Sequence, residues 1–146
     1  MNRNTIDFLL RAKRAAYAGN GRETEPSRPH SHDLQYREGV LQYIDSYLGG
    51  EKFAGEEALW REEVPFWAMN YVGRVLSADF SGDFLKEVLS KGSAEHPYRG
   101  PLRYEKGDYS YTCSVKGDVR WFFGFEEICF KNNKVYECAF HGGEIM

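Results

Sequence analysis

The sequence predicts a single α+β domain in which two helices pack on an antiparallel sheet and a helix-plus-strands unit occurs twice. Two segments, near the N-terminus and near the middle of the 146-residue chain, place apolar residues at helical spacing. The remainder alternates apolar and polar residues between glycine-containing turns, as strands do. A chain of this length can bury its own core. We therefore expect one domain over 1–146, with halves of about 1–76 and 77–146.

Composition argues against several kinds of partner. Lys and Arg number 19 against 22 Asp and Glu, a net charge of −3, so no direct nucleic-acid partner is expected. The N-terminus lacks the apolar core of a signal peptide, and no apolar run approaches membrane-spanning length. An odd set of cysteines without CxxC spacing (Cys113, Cys129 and Cys138) indicates reduced thiols. We therefore expect a cytoplasmic protein with no membrane partner.

The first helix is predicted over Thr5–Tyr17, with Asn4 or Thr5 as its N-cap and Gly19 at its end. One side carries the apolar residues. The other side is basic, which indicates either a solvated face or a contact for an anionic partner, and is formed by Arg11, Lys13 and Arg14. The following segment, Gly19–Asp33, has no periodic apolar residues and is long for a loop, so an ordered flap is one interpretation.

Strands follow in the first half and again after a second helix. The first set is predicted over Leu34–Gly39, Val40–Leu48, Phe53–Arg61 and Val64–Leu76, with a turn at Glu62-Glu63. Ser81–Ser90 is the second helix, with Ser81 as its cap and Gly92 after its end. Strands resume at Leu102 and continue to the C-terminus.

The two sets of strands resemble each other. Leu102–Tyr111 aligns without a gap to Leu34–Tyr43. The element Phe53-Ala54-Gly55-Glu56-Glu57 returns as Phe122-Phe123-Gly124-Phe125-Glu126-Glu127. Agreement in one register, with a helix before each set, predicts an internal duplication.

Strand alternation then assigns the glutamates to faces. With Asn132-Asn133 as the last hairpin turn, Glu127 shares a face with Trp121 and Tyr136, and that face is apolar enough to be buried. In the first half, Glu57 shares a face with Leu59, Val64, Phe66 and Ala68, whereas Glu56 lies with Trp60, Trp67, Met69 and Tyr71. A buried carboxylate costs several kcal/mol unless it is paired, hydrogen-bonded or protonated.

Two acidic-aromatic halves that converge on one cleft would suit a small organic ligand, cationic or ring-bearing. The function expected is a small-molecule-binding module, sensory in role, with neither cofactor nor metal and with no assigned catalytic residue. The expected ligand-binding residues are Glu57, Glu127, Glu56, Glu126, Trp60, Trp67, Asn70, Tyr71, Trp121, Tyr136 and His141.

Other interpretations stay open. Paired strand glutamates are often structural, bonded to a neighbouring Arg, Tyr or backbone amide. An enzyme would use His141 with Glu57 or Glu127 as an acid–base pair. An interaction module would use the aromatic face as the seam of a homodimer. A metal site would need the dispersed histidines, which lack zinc-ligand spacing: His30, His32, His96 and His141.

Several motifs resemble one family over nearly the whole chain. They are Tyr43–Gly50, Phe53–Glu57, Trp67–Tyr71, Phe80–Leu85 and Phe140–Gly143. Together they resemble an uncharacterised bacterial and archaeal domain of unknown function, which in some members follows a DNA-binding helix-turn-helix. The resemblance assigns no catalytic residue. The chain leaves no room for such a head domain, so a role as a transcription-regulator accessory domain implies a partner.

A looser resemblance is to the gyrase-inhibitor-like effector-binding domains of multidrug regulators. These too are duplicated α+β halves with an aromatic cleft and a glutamate for cationic drugs. The resemblance is one of architecture. It departs in one respect, since those halves begin with a strand and here a helix comes first.

Overall fold

The computed structural model of the chain describes residues 1–17 and 22–146. That part of the chain forms two helices and nine strands. The helices are α1 (Arg3–Tyr17) and α2 (Gly82–Leu89). The strands are β1 (Glu23–Thr24), β2 (His32–Glu38), β3 (Leu41–Gly49), β4 (Lys52–Arg61), β5 (Val64–Val75), β6 (Arg103–Lys106), β7 (Tyr109–Asp118), β8 (Trp121–Phe130) and β9 (Asn133–Glu144).

All nine strands form one antiparallel sheet in the order β1-β2-β3-β4-β5-β9-β8-β7-β6. Apart from β1, which lies beyond β2 at one edge, the order is palindromic about the central pair, β5 and β9. On one side β4, β3 and β2 follow, and on the other β8, β7 and β6. In the chain, α1 precedes the first run of strands and α2 precedes the second.

Local irregularities fall at matching places of the two runs. A two-residue turn with left-handed backbone joins β4 to β5 at Glu62-Glu63 (φ 49° and 68°), and another joins β8 to β9 at Lys131-Asn132 (φ 47° and 66°). A register shift follows Leu59 in β4 and follows Ile128 in β8. Each shift is a β-bulge beside the turn. The extra residue of the bulge interrupts the alternation of side chains between the two faces of the sheet.

These irregularities correct the predicted faces. The last turn lies one residue earlier than the predicted Asn132-Asn133, which by itself shifts the pairing by an even number of residues and keeps each side chain on its face. The bulges were not foreseen, and the one extra residue of each bulge moves the side chains beyond it to the other face. In the first half Glu57 therefore shares its face with Leu59, Trp67, Met69 and Tyr71 rather than with Val64, Phe66 and Ala68. In the second half Glu126, and not Glu127, lies on the buried face.

Both helix starts have side-chain caps. Ser81 caps α2 as predicted, because its hydroxyl accepts from the Phe84 amide at 3.1 Å. The cap of α1 is Asn2, whose Oδ1 accepts from the Thr5 amide at 3.0 Å, so the choice of Asn4 or Thr5 was wrong. The predicted end of α1 at Gly19 lies outside the described residues. The predicted flap is described from residue 22 onward and begins with β1, which pairs with β2.

The face of the sheet that carries the fully buried side chains is called here the inner face. Helix α1 contacts β2 and β3. The ring of Phe8 in α1 lies 5.8 Å from that of Tyr36, and the ring of Phe84 in α2 stacks on Tyr109 at 5.1 Å. The hydrophobic core fills this layer, and its fully buried members include Phe8, Leu9, Leu59, Trp67, Met69, Tyr111, Phe122 and Ile128. The opposite face is called the outer face.

The three cysteines are free thiols, as the spacing predicted, and Cys113 and Cys138 are buried in the inner layer. In residues 1–17 and 22–146 no helix has the length and apolar character needed to cross a membrane.

Candidate functional site

Five charged side chains converge beneath the helices on the inner face. Lys13 comes from α1, Asp45 from β3, Glu57 from β4, Glu126 from β8 and Arg99 from the segment before β6. Each is between 0% and 4% exposed. Removing charges from water is costly unless they are paired and hydrogen-bonded. These five residues are called here the buried charge network.

Glu126 has a complete set of partners. Arg99 donates to its Oε1 from Nε at 2.9 Å and from Nη2 at 2.6 Å. Tyr111 donates its hydroxyl to Oε2 at 2.5 Å, and Tyr136 donates to Oε1 at 2.9 Å. A charge-assisted bond from arginine and two hydroxyl donors compensate this carboxylate for its burial. These protein partners therefore explain the burial of Glu126 without a ligand.

Glu57 is likewise paired with a cation and with a tyrosine hydroxyl. Lys13 crosses from α1 to form an ion pair with it, and the hydroxyl of Tyr17 donates to its second oxygen. Lys13 also donates to the carbonyl of Tyr98 at 2.6 Å. Burial lowers the pKa of Lys13, and the negative charge of Glu57 opposes that effect.

Asp45 differs from the two glutamates. It is 3% exposed, and its single hydrogen-bond partner in the described residues is the hydroxyl of Tyr71, which donates at 2.5 Å. No lysine or arginine of that part of the chain forms an ion pair with it. Burial, and then the nearby charge of Glu57, raise the pKa of Asp45 to about 7 despite the hydrogen bond from Tyr71. This carboxyl group lacks a cation of its own.

A cavity of about 330 Å³ opens beside Asp45, between the C-terminal part of α1, helix α2 and strands β3 to β5. It is called here the inner pocket. Asp45, Tyr71 and Arg99 are polar groups of its wall. The guanidinium of Arg99 lies 5.3 Å from the centre of the Tyr71 ring, a cation–π contact. The other wall residues are Ala16, Tyr17, Glu23, Leu34, Tyr47, Gly50, Phe53, Leu85, Lys86 and Leu89.

A hydroxyl group without a partner lies close to this network. Tyr43 is fully buried, and its Oη makes no hydrogen bond within the described residues. Burial raises the pKa of Tyr43, and the nearby charge of Glu57 adds to that effect. A buried polar atom without a partner costs about 1–3 kcal/mol. The hydroxyl of Tyr43 is therefore a hydrogen-bond donor without an acceptor in the described residues.

Four of the predicted ligand-binding residues belong to this inner layer. Glu57 and Glu126 are in the buried charge network, Tyr136 donates to Glu126, and Tyr71 donates to Asp45 and lines the inner pocket. Trp67 is a core residue instead: its indole donates to the Val119 carbonyl at 2.9 Å, and its ring stacks on Phe122.

The predicted burial of Glu127 was wrong. Its side chain is 35% exposed on the outer face and pairs with Lys134 at 2.9 Å. The cause is the bulge after Ile128, since its one extra residue reverses the faces of the two strands relative to each other. Trp121 also lies on the outer face and is 69% exposed.

The remaining predicted residues lie on the outer face as well. Glu56, Trp60, Asn70 and His141 line an open groove of about 780 Å³. In the described residues His141 makes no hydrogen bond with a glutamate, so the acid–base pair expected of an enzyme is not formed. Nor do three or more His, Cys, Asp or Glu residues of that part of the chain group as metal ligands would.

Three members of the buried charge network were missed by sequence reasoning. Lys13 carried a signal, because it lies four residues from both Leu9 and Tyr17 on the apolar stripe of its helix. Asp45 also carried one, since it interrupts the apolar strand Tyr43–Leu48. Arg99 lies in the glycine- and proline-containing segment between α2 and β6, which has no apolar periodicity, so its burial had no local signature.

The fold and the pocket define a class of protein: an α+β domain with a nine-stranded antiparallel sheet and a cavity beside buried charges. A family model described as "Domain of unknown function (DUF5680)" matches residues 45–145. The chain belongs to that family, as the motifs predicted. The matched span contains Asp45, Glu57, Tyr71, Arg99 and Glu126 and begins after α1. Searches of curated proteins and of solved structures gave no significant match.

Proposed function

We propose that this protein is a small-molecule-binding module whose inner pocket takes a small, ring-bearing organic cation. The observation that carries the proposal is Asp45, a buried carboxyl group in the pocket wall without a cationic partner in the described residues. Lys13 neutralises Glu57, and Arg99 neutralises Glu126.

The charges of the network explain why the ligand would be cationic. Its members supply three carboxyl groups and two cations, and the two ion pairs use both cations. Asp45 therefore stays buried either with a proton or beside a positive charge from outside the network. An ammonium or similar group next to Asp45 would meet that need. A negatively charged ligand would instead face Asp45, and the wall cation without a partner in the described residues, Lys86, lies exposed on α2 away from the buried network.

The walls of the inner pocket suit a ring. Tyr47, Phe53 and Tyr71 present aromatic surface to the cavity, and Leu85 and Leu89 present aliphatic surface from α2. Aromatic faces attract cations and pack against flat rings. The volume of about 330 Å³ is at the lower end of the range for ligand pockets, roughly 300–1,000 Å³. One or two fused rings with a single positive charge fit that description.

A thermal-shift titration of the full chain tests the proposal. The probes are benzylammonium and N-methylquinolinium, with benzyl alcohol and quinoline-2-carboxylate as neutral and anionic counterparts. We expect the cations to raise Tm in a concentration-dependent manner, because binding to the folded state alone stabilises it. Asp45→Asn should abolish the shift, since asparagine can still accept from Tyr71 but carries no charge.

Two matched variants serve as controls. Asp108→Asn removes an exposed carboxylate, and Glu127→Gln removes one from the outer face. Both should keep the cation-induced shift. Equal shifts in the Asp45→Asn variant and the unaltered protein would reject the assignment of Asp45, and no shift with any cation would reject the ligand class.

We also infer that the two halves are copies of one unit, a helix followed by four strands. The palindromic strand order, the matching left-handed turns and the matching bulges support this. Tyr43 and Tyr111 occupy equivalent places in β3 and β7, as do Gly49 and Gly117 with φ of 94° and 96°. The looser resemblance to drug-binding effector domains is in keeping with such a duplication.

A sensory role in the cytoplasm, as an accessory to a transcription regulator, would suit a module of this kind. Free thiols at Cys113, Cys129 and Cys138 favour a reducing compartment. In that role ligand binding would be read by a partner protein.

A further inference from the structure

A second group of unused side chains lies on the outer face, across the sheet from the inner pocket. Register pairs place one residue from each of five neighbouring strands in a line: Ser46, Glu56, Asn70, His141 and Phe123. The line crosses four strand spacings of about 4.8 Å, so it is roughly 19 Å long. Its members from Ser46 to His141 lie along the groove of about 780 Å³, called here the outer groove.

Three polar members of this line are available for binding, whereas the hydroxyl of Ser46 is bonded to Asp33 and Arg28. Within residues 1–17 and 22–146, Glu56, Asn70 and His141 make neither a hydrogen bond nor an ion pair with another side chain. Nearby strand residues differ, since Glu127 pairs with Lys134 on the same face. The line therefore offers a carboxylate, an amide and an imidazole side by side, groups that both donate and accept.

Small residues and aromatic rings complete the surface. Ala54 and Ala58 flank Glu56 in the groove, and their small side chains leave space beside it. An adjoining cavity of about 150 Å³ shares Asn70 and His141 with the groove and is bordered by Trp121 and Phe123. These two rings are 69% and 53% exposed and lie edge to face, 6.1 Å apart. Exposed aromatic rings thus continue the polar line.

We propose that the outer groove binds a neutral oligosaccharide. A sugar ring presents an apolar C–H face, which packs on aromatic rings, and hydroxyl groups, which both donate and accept. The line of Glu56, Asn70 and His141 matches the hydroxyls, and Trp121 and Phe123 match the C–H faces. The length of the line suits a short chain of sugars rather than a single one.

Two other kinds of partner fit the groove less well. Glu25 and Glu56 line the groove and would repel the phosphates of a nucleic acid. Arg28 is the arginine among the described lining residues, and one cation is too few for a phosphate backbone. A protein partner would place its interface centre over the polar line. Interface centres normally consist of apolar and aromatic anchors, which these polar side chains would not match. Desolvating Glu56 without a cation would be costly.

The test is calorimetric titration of the full chain with maltotetraose, cellotetraose, chitotetraose and mannotetraose. We expect saturable binding of at least one of them. Asn70→Ala and Trp121→Ala should each weaken it by about tenfold or more, equivalent to ~1.4 kcal/mol. Thr112→Ala, on the outer face of β7 outside the groove, and Asp45→Asn, in the inner pocket, should bind as the unaltered chain does.

We expect unchanged unfolding midpoints for the groove variants, because the side chains of Trp121 and Asn70 make no hydrogen bond within the described residues. Absence of binding to all four oligosaccharides would overturn the proposal. Binding that Asn70→Ala and Trp121→Ala leave intact would also overturn it. Light scattering that shows a dimer, dissociated by Trp121→Ala, would assign the face to a second copy of the chain instead. Since Asp45→Asn affects the inner pocket alone, failure here leaves the cation-binding proposal standing.

Discussion

At the scale of single residues, Lys13 is the cation on which Glu57 depends. Its ammonium group reaches across the core layer to Glu57 and to the carbonyl of Tyr98 and is almost fully buried. A buried ion pair adds little to stability compared with an apolar pair of the same shape, but loss of one member leaves a charge without compensation. The position is therefore far more sensitive than the basic residues on the exposed side of α1.

Lys13→Met should destabilise the protein by about 3–5 kcal/mol, because Glu57 stays buried without a cation. Urea unfolding followed by far-UV circular dichroism measures the change. Adding Glu57→Gln to Lys13→Met should recover much of the loss, since glutamine carries no charge and can still accept from Tyr17.

The matched control is Arg11→Met on the same helix. Arg11 is exposed and pairs with Glu38 at 2.9 Å on the surface, so its loss should leave the unfolding midpoint nearly unchanged. A Lys13→Met protein as stable as the Arg11→Met protein would contradict the assigned role of the buried pair.

At the scale of elements, the β4–β5 turn is built from residues poorly suited to it. Glu62 and Glu63 both adopt left-handed backbone, with φ of 49° and 68°. Side chains with a Cβ atom pay a steric cost in that region, and the turns of this type prefer glycine at the second position. The strands nevertheless impose this turn, because they fix the ends that it must join.

Glu63→Gly should therefore stabilise the protein by roughly 0.5–1 kcal/mol, the relief of left-handed strain less the entropy that glycine loses on folding. Thermal and urea unfolding measure the gain. Glu63→Ala is the control: it removes the same side chain but keeps the Cβ atom, so it should bring no comparable gain. Equal stability of the two variants would show that the turn stores no such strain.

The elements also show how much of the fold can be predicted from the sequence. The sequence predicts both helices, the Ser81 cap and the Glu62-Glu63 turn, because each has a local signature in periodicity, capping or turn residues. It misplaces the last turn, since Asn132-Asn133 is locally the better pair, and it misses the bulge after Ile128, which has no sequence signature. The extra residue of that bulge decided which glutamate lies in the core. Arg99 could not be placed, because its partner Glu126 lies far along the chain.

At the scale of the whole molecule, the charges of the inner layer link stability to pH. The groups that face Asp45 are Lys13 and Tyr17 of α1, Glu57 of β4, Tyr71 of β5 and Arg99. Lys86 of α2 and Glu23 of β1 line the same pocket. Burial and Glu57 raise the pKa of Asp45 to about 7 in the folded protein, whereas a free aspartate titrates near 3.9.

Between about pH 4 and pH 7 the folded protein therefore holds a proton that the unfolded chain has released. Stability should fall as pH rises through this window, by at most ~1.4 kcal/mol per pH unit from this group, and should level off above it. Urea unfolding at several pH values measures the slope. Asp45→Asn should remove that contribution, and an unaltered slope in the variant would locate the titrating group elsewhere.

The palindromic sheet has a consequence at Asp45. The places of Asp45 and Tyr71 in the first half are taken in the second by Cys113 and Phe140, and Phe140 lies over Gly124 as Tyr71 lies over Gly55. The two halves of the sheet thus differ in chemistry: the first has a carboxyl group and a phenol beside the inner pocket, and the second has a thiol and a phenyl ring. A cation bound in the inner pocket, as proposed, would add its charge to the first half alone, next to the end of α1.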